Sequence, residues 1–223
     1  MNHSFSFPRP RRVIAACALA LGLVGAAVPT IGSDTASAAQ LAVNELAPEI
    51  STSATKAIDA LEAYAESGDL ADARTLAWHR AITARYTAQQ LGYDELAMVA
   101  AWSAAPLDHQ HAVLGALTQV GVPYRTNTSK EGVGFDCSGL TTYAWGQAGV
   151  ELFRQSGSQI NEAEPLGRET AKAGDLVHYP GHVMMYLGVE DAVVHSVQTG
   201  RTVEVDTISE RRRNSVRWGD PTT

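Results

Sequence analysis

The residues of this chain best suited to chemistry are one cysteine, Cys137, and two histidines, His182 and His195. Cys137 stands in the segment Phe135-Asp136-Cys137-Ser138-Gly139-Leu140, at the start of a predicted helix over 138–148. A helix N-terminus carries about half a positive charge, which favours the thiolate, the reactive form of cysteine. A thiolate served by an imidazole is an arrangement for nucleophilic catalysis, because the imidazole moves the proton. These three residues therefore indicate a thiol enzyme.

Two residues near Cys137 in the sequence have separate roles at the start of the helix. Asp136 can cap the exposed amides of the helix, and Gly139 allows another backbone or a substrate to come close. The negative charge of Asp136 opposes formation of the thiolate. A second activating group is therefore needed, and a histidine is the natural one.

His182 and His195 fall on two consecutive predicted strands, joined by the turn Gly188-Val189-Glu190-Asp191. A four-residue loop pairs Leu187 with Ala192 and places both imidazoles on one face as diagonal neighbours, with Cα atoms roughly 7–8 Å apart. A loop with an odd number of residues would send the two rings to opposite faces. The hypothesis therefore requires an even loop.

In this arrangement Cys137 is the nucleophile and His182 is the general base. His195 accepts a hydrogen bond from the far nitrogen of His182 and fixes its tautomer. A structural role for the three residues and a zinc site formed by His178, His182 and His195 are the alternatives. Against zinc, Pro180-Gly181 is expected to turn the chain between the first two histidines, so we predict that these residues form no metal site.

The elements that must position these residues predict an α+β fold. Residues 39–106 have helical periodicity with stops at Gly68 and Gly92, and Pro106 marks a boundary to a second region over 107–223. That region has two helices followed by short alternating segments, which is typical of an antiparallel sheet. Of the 223 residues 45% are hydrophobic and the formal charge is −7. The acidic balance argues against a nucleic-acid partner.

The first 38 residues have the pattern of a signal peptide. Arg9, Arg11 and Arg12 precede an apolar run over 13–28, and Ala36-Ser37-Ala38 fits a cleavage site. We expect export, with no membrane span after removal of the signal. Cys17 is lost with the signal, so Cys137 remains alone and cannot form an internal disulfide.

Several further motifs follow one another in order and with suitable spacing over residues 107–218. Gly121-Val122-Pro123-Tyr124 precedes the cysteine segment, and Arg154-x-Ser156-x-x-Gln159 follows it. The later matches are Ala173-Gly174-Asp175-Leu176-Val177, Gly181-His182-Val183, Tyr186-Leu187-Gly188 and Val194-His195. Together with the cysteine segment, these motifs strongly resemble the NlpC/P60 cysteine peptidases. The resemblance implies a papain-like NlpC/P60 domain with an antiparallel β-sheet, which cleaves peptides of the bacterial cell wall without a metal or another cofactor.

Residue by residue, the resemblance implies a nucleophile at Cys137, a base at His182 and an orienting polar residue at His195. It further implies that Tyr124 lies beside the thiol and helps to place the substrate. Asp136 and Ser138 would meet the amine end of the peptide. The chain departs from the family at Arg125-Thr126-Asn127 and at Phe153, which puts the substrate preference in question more than the reaction type.

The prediction is a cysteine peptidase, secreted to the cell wall or the extracellular space. It would hydrolyse an amide in peptidoglycan stem peptides, and the resemblance favours the γ-D-glutamyl–diaminopimelate bond. One alternative is a thiol amidase or acyltransferase acting on another substrate. Another is a wall-binding scaffold without enzymatic activity, in which the helical region binds a protein partner. The helical region could also cover the cleft as a lid.

Overall fold

The computed structural model describes residues 44–222. The signal peptide predicted for residues 1–38 lies outside the described residues, as does Cys17. Among the residues that the structure describes, no helix combines the length and apolar character needed to cross a membrane.

The described chain begins with helices and continues with short strands. The helices are α1 Ala47–Ser67, α2 Leu70–Leu91, α3 Glu95–Ala104, α4 Leu107–Thr118, α5 Cys137–Gln147, α6 Ser156–Glu162 and α7 Glu210–Arg213. The strands are β1 Ser129–Lys130, β2 Gly134–Phe135, β3 Glu164–Leu166, β4 Leu176–Tyr179, β5 His182–Tyr186, β6 Ala192–Ser196, β7 Val203–Thr207 and β8 Arg217–Asp220. Gly68 and Gly92 end α1 and α2 in the left-handed conformation, with φ of 66° and 70°, as their positions predict.

Six strands form one antiparallel sheet in the order β3-β8-β4-β5-β6-β7, and β1 pairs with β2 in a separate hairpin. The predicted α+β class with an antiparallel sheet is confirmed. Strands β4 to β8 lie in the region where the sequence predicts short alternating segments. Helix α6 and strand β3 were not predicted, because both are short and lack a clear hydrophobic period.

Both faces of the central strands are covered, so every residue of β5 and β6 is buried. One face belongs to the main core, which includes Leu114 of α4, Leu140 of α5 and Met185 of β5. The other face packs into a smaller cluster built around Met184 and Trp218. Helix α5, which begins at the cysteine, contacts β5 and β6 directly. This packing brings the start of α5 to the strands that carry the two histidines.

The helical region shares the main core with the sheet. Ile50 and Trp102 belong to the same buried cluster as Met185, and Trp102 donates a hydrogen bond from Nε1 to the carbonyl of Leu187 at 2.8 Å. Helix α1 packs on α4, and α2 contacts β7. Residues on both sides of the predicted boundary at Pro106 therefore contribute to a common interior.

Strand β7 is an edge strand of the six-stranded sheet, and other parts of the chain bind to its outer edge. The Asn44 side chain accepts a hydrogen bond from the Val205 amide at 3.1 Å and donates one to the Val205 carbonyl at 3.3 Å. The segment 121–124 runs along the same edge, where Gly121 N–H binds the Val203 carbonyl at 2.8 Å. Because Tyr124 ends this segment, the pairing with β7 positions one of the predicted site residues.

Candidate active site

Cys137 is the first residue of α5 and is partly exposed, so its sulfur is not sealed within the core. Asp136 caps the helix, because its side chain accepts a hydrogen bond from the Gly139 amide at 2.7 Å. A Cβ atom at Gly139 would lie 2.1 Å from the carbonyl oxygen of Thr128, so only glycine fits there. The Asp136 amide also binds this Thr128 carbonyl, at 3.0 Å. The loop before β1 thus fixes the first turn that carries the thiol.

The charge of Asp136 is balanced by Arg154. The guanidinium donates to both carboxylate oxygens, at 2.8 and 2.7 Å, and to Ser138 Oγ at 3.0 Å. Burial acts to raise the pKa of Asp136, but the hydrogen bonds from Arg154 and the Gly139 amide lower it overall. From the sequence, Asp136 was expected to oppose the thiolate, and the structure supplies the cation that offsets its charge.

Asp136 and Ser138 were also expected to meet the amine end of a peptide. Each is only 7% exposed, and both already bind Arg154. A substrate amine would therefore have to compete with this guanidinium. The role of these two residues in substrate binding stays a prediction.

Gln159, the last residue of the Arg154-x-Ser156-x-x-Gln159 motif, is 1% exposed and ties the motif to α5. Its amide nitrogen donates to the carbonyls of Ser138 and Phe153, at 3.1 and 2.7 Å. Its amide oxygen accepts from Thr141 Oγ1 at 2.7 Å. The segment that carries Arg154 is thereby held against the turn that carries the thiol.

The two histidines meet in the predicted way. Met185 pairs with Val194 and Tyr186 with Val193, which is the register of the four-residue turn. His182 Nε2 and His195 Nδ1 are 2.7 Å apart, and the ring planes are 80° to each other. Because this hydrogen bond uses Nε2 of His182, the nitrogen left to exchange a proton is Nδ1.

His182 is a neutral imidazole at physiological pH. Burial, together with the neighbouring His195 and His178, lowers the pKa of His182 to about 3. A neutral ring has a lone pair and can accept a proton. The structure therefore gives His182 the protonation state that a general base needs.

Two tyrosines, Tyr124 and Tyr179, are close enough to Cys137 for its charge to affect their pKa values. Burial raises the pKa of Tyr124, and the nearby Cys137 and Asp136 raise it further. Burial also raises the pKa of Tyr179; Arg212 opposes this shift and Cys137 adds to it. The ring centroids of Tyr179 and His182 are 5.2 Å apart, so Tyr179 also packs against the proposed base.

The Tyr179 ring also carries a cation. The Arg212 guanidinium carbon lies 4.4 Å from the ring centroid, a cation–π distance. Tyr179 and Arg212 were not among the residues singled out from the sequence as site residues. Arg212 belongs to α7 and Tyr179 to β4, so the position of α7 brings this cation to the site.

Asp206 was also missed. Its Oδ2 atom lies 3.5 Å from His195 Nε2, on the side of that ring away from His182. Asp206 belongs to β7 and pairs with Val193, so it is a diagonal neighbour of His195 across the sheet. Periodicity places Asp206 on a strand, but its approach to His195 depends on how β7 pairs with β6.

The geometry of the histidines does not suit the alternative zinc site. Two nitrogens bound to one tetrahedral zinc at about 2.0–2.1 Å would be separated by roughly 3.3 Å. The 2.7 Å between His182 and His195 is instead a hydrogen-bond distance. His178 is buried on β4, and neither of its ring nitrogens has a hydrogen-bond partner among the described residues.

Within residues 44–222, the group of side chains that could converge on an ion is His109, Asp175 and Asp220. Its members already contact other groups of the protein. His109 Nδ1 contacts the Ala173 carbonyl at 3.0 Å, and His109 Nε2 lies 3.5 Å from Asp220. Lys172 binds the other carboxylate oxygen of Asp220 at 2.8 Å. These contacts join α4 to β8 and to the turn before β4.

The fold and the site define an α+β protein with a thiol at a helix N-terminus and a bonded histidine pair on an antiparallel sheet. Residues 121–219 match the model of the NlpC/P60 family, so this part of the chain is similar to an NlpC/P60 domain. The resemblance seen in the sequence motifs is confirmed.

Named relatives share this part of the chain. Dipeptidyl-peptidase 6 of Lysinibacillus sphaericus is 36% identical over 105 residues, which are 46% of this chain and 37% of that protein. Peptidoglycan endopeptidase RipB of Mycobacterium tuberculosis is 38% identical over 95 residues, 35% of this chain and 39% of that protein. The chain thus spans about two fifths of the length of either relative.

A solved structure is similar as well. The P60 domain of an antigen from M. avium subspecies paratuberculosis is 26% identical, with a TM-score of 0.45. The similarity covers 52% of this chain and 96% of that domain.

Proposed function

We propose that this protein is a secreted cysteine peptidase that hydrolyses an amide bond in peptidoglycan stem peptides. The observation that carries the proposal is the bonded pair of His182 and His195, held on the strands against which the Cys137 helix packs. The NlpC/P60 match and a relative named as a peptidoglycan endopeptidase support the substrate class. The expected signal peptide would deliver the enzyme to the wall.

The chemistry would begin with proton transfer from Cys137 to Nδ1 of His182. The thiolate attacks the carbonyl carbon of the peptide, and the protonated His182 then gives its proton to the leaving amine. This leaves a thioester on Cys137, which a water molecule hydrolyses with His182 again acting as base. The backbone N–H of Cys137, at the start of α5, would stabilise the oxyanion.

The bond proposed for cleavage is γ-D-glutamyl–diaminopimelate. The names of the relatives include both a dipeptidyl-peptidase and a peptidoglycan endopeptidase, so the support extends to stem peptides as a class. The departures at Arg125-Thr126-Asn127 and at Phe153 lie where the choice of peptide would be made.

Digestion of defined stem peptides, followed by mass spectrometry, tests the proposal. The mature protein should release fragments cut at one amide, and Cys137→Ala and Cys137→Ser should release none. His182→Ala should lower the rate by roughly 10²- to 10⁴-fold, the usual contribution of a general base. If folded wild-type protein binds peptidoglycan but leaves every stem peptide intact, the scaffold alternative replaces hydrolysis.

A further inference from the structure

His195 has two ring nitrogens with different surroundings. Nδ1 bonds to His182, whereas Nε2 is buried and, among the described residues, has no partner within normal hydrogen-bond geometry. The anionic group that faces Nε2 is the carboxylate of Asp206, whose Oδ2 atom lies 3.5 Å away. His195 is 8% exposed, so solvent has little access to this nitrogen.

Asp206 is itself held in place and charged. Its Oδ1 atom accepts a hydrogen bond from the Thr207 amide at 2.7 Å, which leaves Oδ2 facing His195. Burial acts to raise the pKa of Asp206, but His195, the Thr207 amide and Arg201 together lower it. The carboxylate is therefore ionised at neutral pH.

The other acidic side chain beside His195 is already occupied. Glu204 stands directly opposite His195 in the pairing of β6 and β7. Its carboxylate, however, forms an ion pair with Arg201 and accepts a hydrogen bond from Thr202 Oγ1. Asp206 is thus the carboxylate that faces His195, and within residues 44–222 it forms no ion pair with a lysine or an arginine.

The order of protons along this row of side chains decides whether His182 can act as a base. To accept a proton at Nδ1, neutral His182 must carry its own proton on Nε2 and donate it to Nδ1 of His195. Neutral His195 must then carry its proton on Nε2. That N–H points at Asp206, whose negative charge stabilises this tautomer and opposes the other.

We propose that Asp206 is a positioning residue, which sets the tautomer of His195 and, through it, keeps Nδ1 of His182 free to accept the thiol proton. The inference rests on the proposed function for its catalytic consequence, while the tautomers themselves do not depend on any substrate. Asp206 would also stabilise the positive charge that forms on the histidine pair during the reaction.

Asp206→Asn reverses the proton order in a defined way. The introduced side chain would keep its Oδ1 atom on the Thr207 amide, which turns its NH₂ group toward His195 Nε2. The NH₂ group then donates to Nε2, so His195 carries its proton on Nδ1 and donates it to His182 Nε2. His182 is left with its own proton on Nδ1 and cannot accept another.

Nitrogen-15 NMR of the histidine rings tests this without any catalysis. In folded Cys137→Ala protein at pH 7, both His182 and His195 should show a protonated Nε2. Adding Asp206→Asn should move the proton of both rings to Nδ1, whereas Asp206→Glu should restore the original pattern. A protonated Nδ1 on His195 in the parent protein, or unchanged tautomers in the Asp206→Asn variant, would overturn the proposal.

Kinetics on stem peptides provide the second measurement. Asp206→Asn should lower kcat by up to about 10⁴-fold with KM unchanged, which is the size of the loss when a catalytic histidine is held in the wrong tautomer. Glu210→Gln, on the exposed helix α7, is the control for loss of one negative charge. If the NMR result is as expected but no variant, including wild type, cleaves stem peptides, the assignment of the substrate fails and the positioning role stands.

Discussion

Arg154 donates hydrogen bonds to both carboxylate oxygens of Asp136, at 2.8 and 2.7 Å, one residue before the thiol. Asp136 caps the helix and also stands next to the Cys137 thiol, which must become a thiolate. Pairing with Arg154 keeps the cap and offsets its charge. The side chain of Asp136 is 10% exposed and that of Arg154 is 40% exposed, so solvent screens the pair in part.

Removal of Arg154 should therefore slow the chemistry of the thiol. In Arg154→Ala the charge of Asp136 is left unbalanced beside Cys137, so the thiolate is disfavoured and alkylation by iodoacetamide at pH 7 should slow. Arg154→Lys keeps the charge but loses the two-bond geometry, and its rate should fall between those of wild type and Arg154→Ala. Arg74→Ala, on the exposed face of α2, should alkylate as wild type does. Equal rates in all four proteins would contradict this account.

Two glycines of α5 form a matched pair for stability. Gly139→Ala forces a Cβ against the Thr128 backbone, so it should lower the free energy of unfolding by about 1–3 kcal/mol. At Gly146 a Cβ meets nothing within 4 Å, and alanine there should raise the free energy of unfolding by up to about 1 kcal/mol. Denaturant unfolding of both variants measures the difference. Similar values for both would show that the loop yields to the added methyl group.

Gln159→Leu should destabilise the protein and loosen the Arg154 segment. The substitution leaves Thr141 Oγ1 and the carbonyls of Ser138 and Phe153 without this partner in a buried site. Each lost hydrogen bond contributes on the order of 0.5–1.5 kcal/mol, so urea unfolding should show a lowered midpoint. Gln155→Leu, one turn earlier and exposed, is the control. A midpoint equal to that of the control would contradict the bridging role of Gln159.

The protein should lose stability in mild acid through His182. Its folded pKa of about 3 is below the unfolded value of 6.5, so between these pH values the unfolded chain binds a proton that the folded chain does not. Unfolding is then favoured as the pH falls, by up to about 1.4 kcal/mol per pH unit. Above pH 6.5 the ring is neutral in both the folded and the unfolded chain, so this loss of stability is absent.

Comparison with His182→Gln isolates this effect. Asp175 acts in the opposite sense, because burial raises the pKa of its folded state to about 6. The measurement is therefore the difference in slope between wild type and His182→Gln in urea unfolding from about pH 7 to about pH 4, within the window where the histidine term acts. The variant should show the weaker loss of stability toward acid, and equal slopes would contradict the shifted pKa.

The parts of the site that the sequence predicted depend on local patterns. The turn Gly188–Asp191 between two alternating segments defines the register, and the register alone brings His182 to His195. The helix start at Cys137 follows from Asp136 and Gly139 in the same way. In these places a few neighbouring residues determine the backbone, so the spacing in the chain is sufficient.

The residues that were missed come from distant segments. Arg154 was known only as part of a motif, and its pairing with Asp136 depends on how Gln159 packs against α5. Asp206 reaches His195 through the pairing of β7 with β6, and Arg212 reaches Tyr179 through the position of α7. None of these approaches has a periodic signature, because each is fixed by the closing of the whole sheet.

The two hydrogen bonds between the Asn44 side chain and the Val205 backbone have a consequence for self-association of the protein. A shortened form that starts inside α1 would bare the N–H and C=O groups of Val205, and unsatisfied strand groups are a template for self-association. Molecules lacking the first described residues should join through β7 into dimers or larger aggregates. Asn44, just before the first helix, should therefore limit association of the protein through β7.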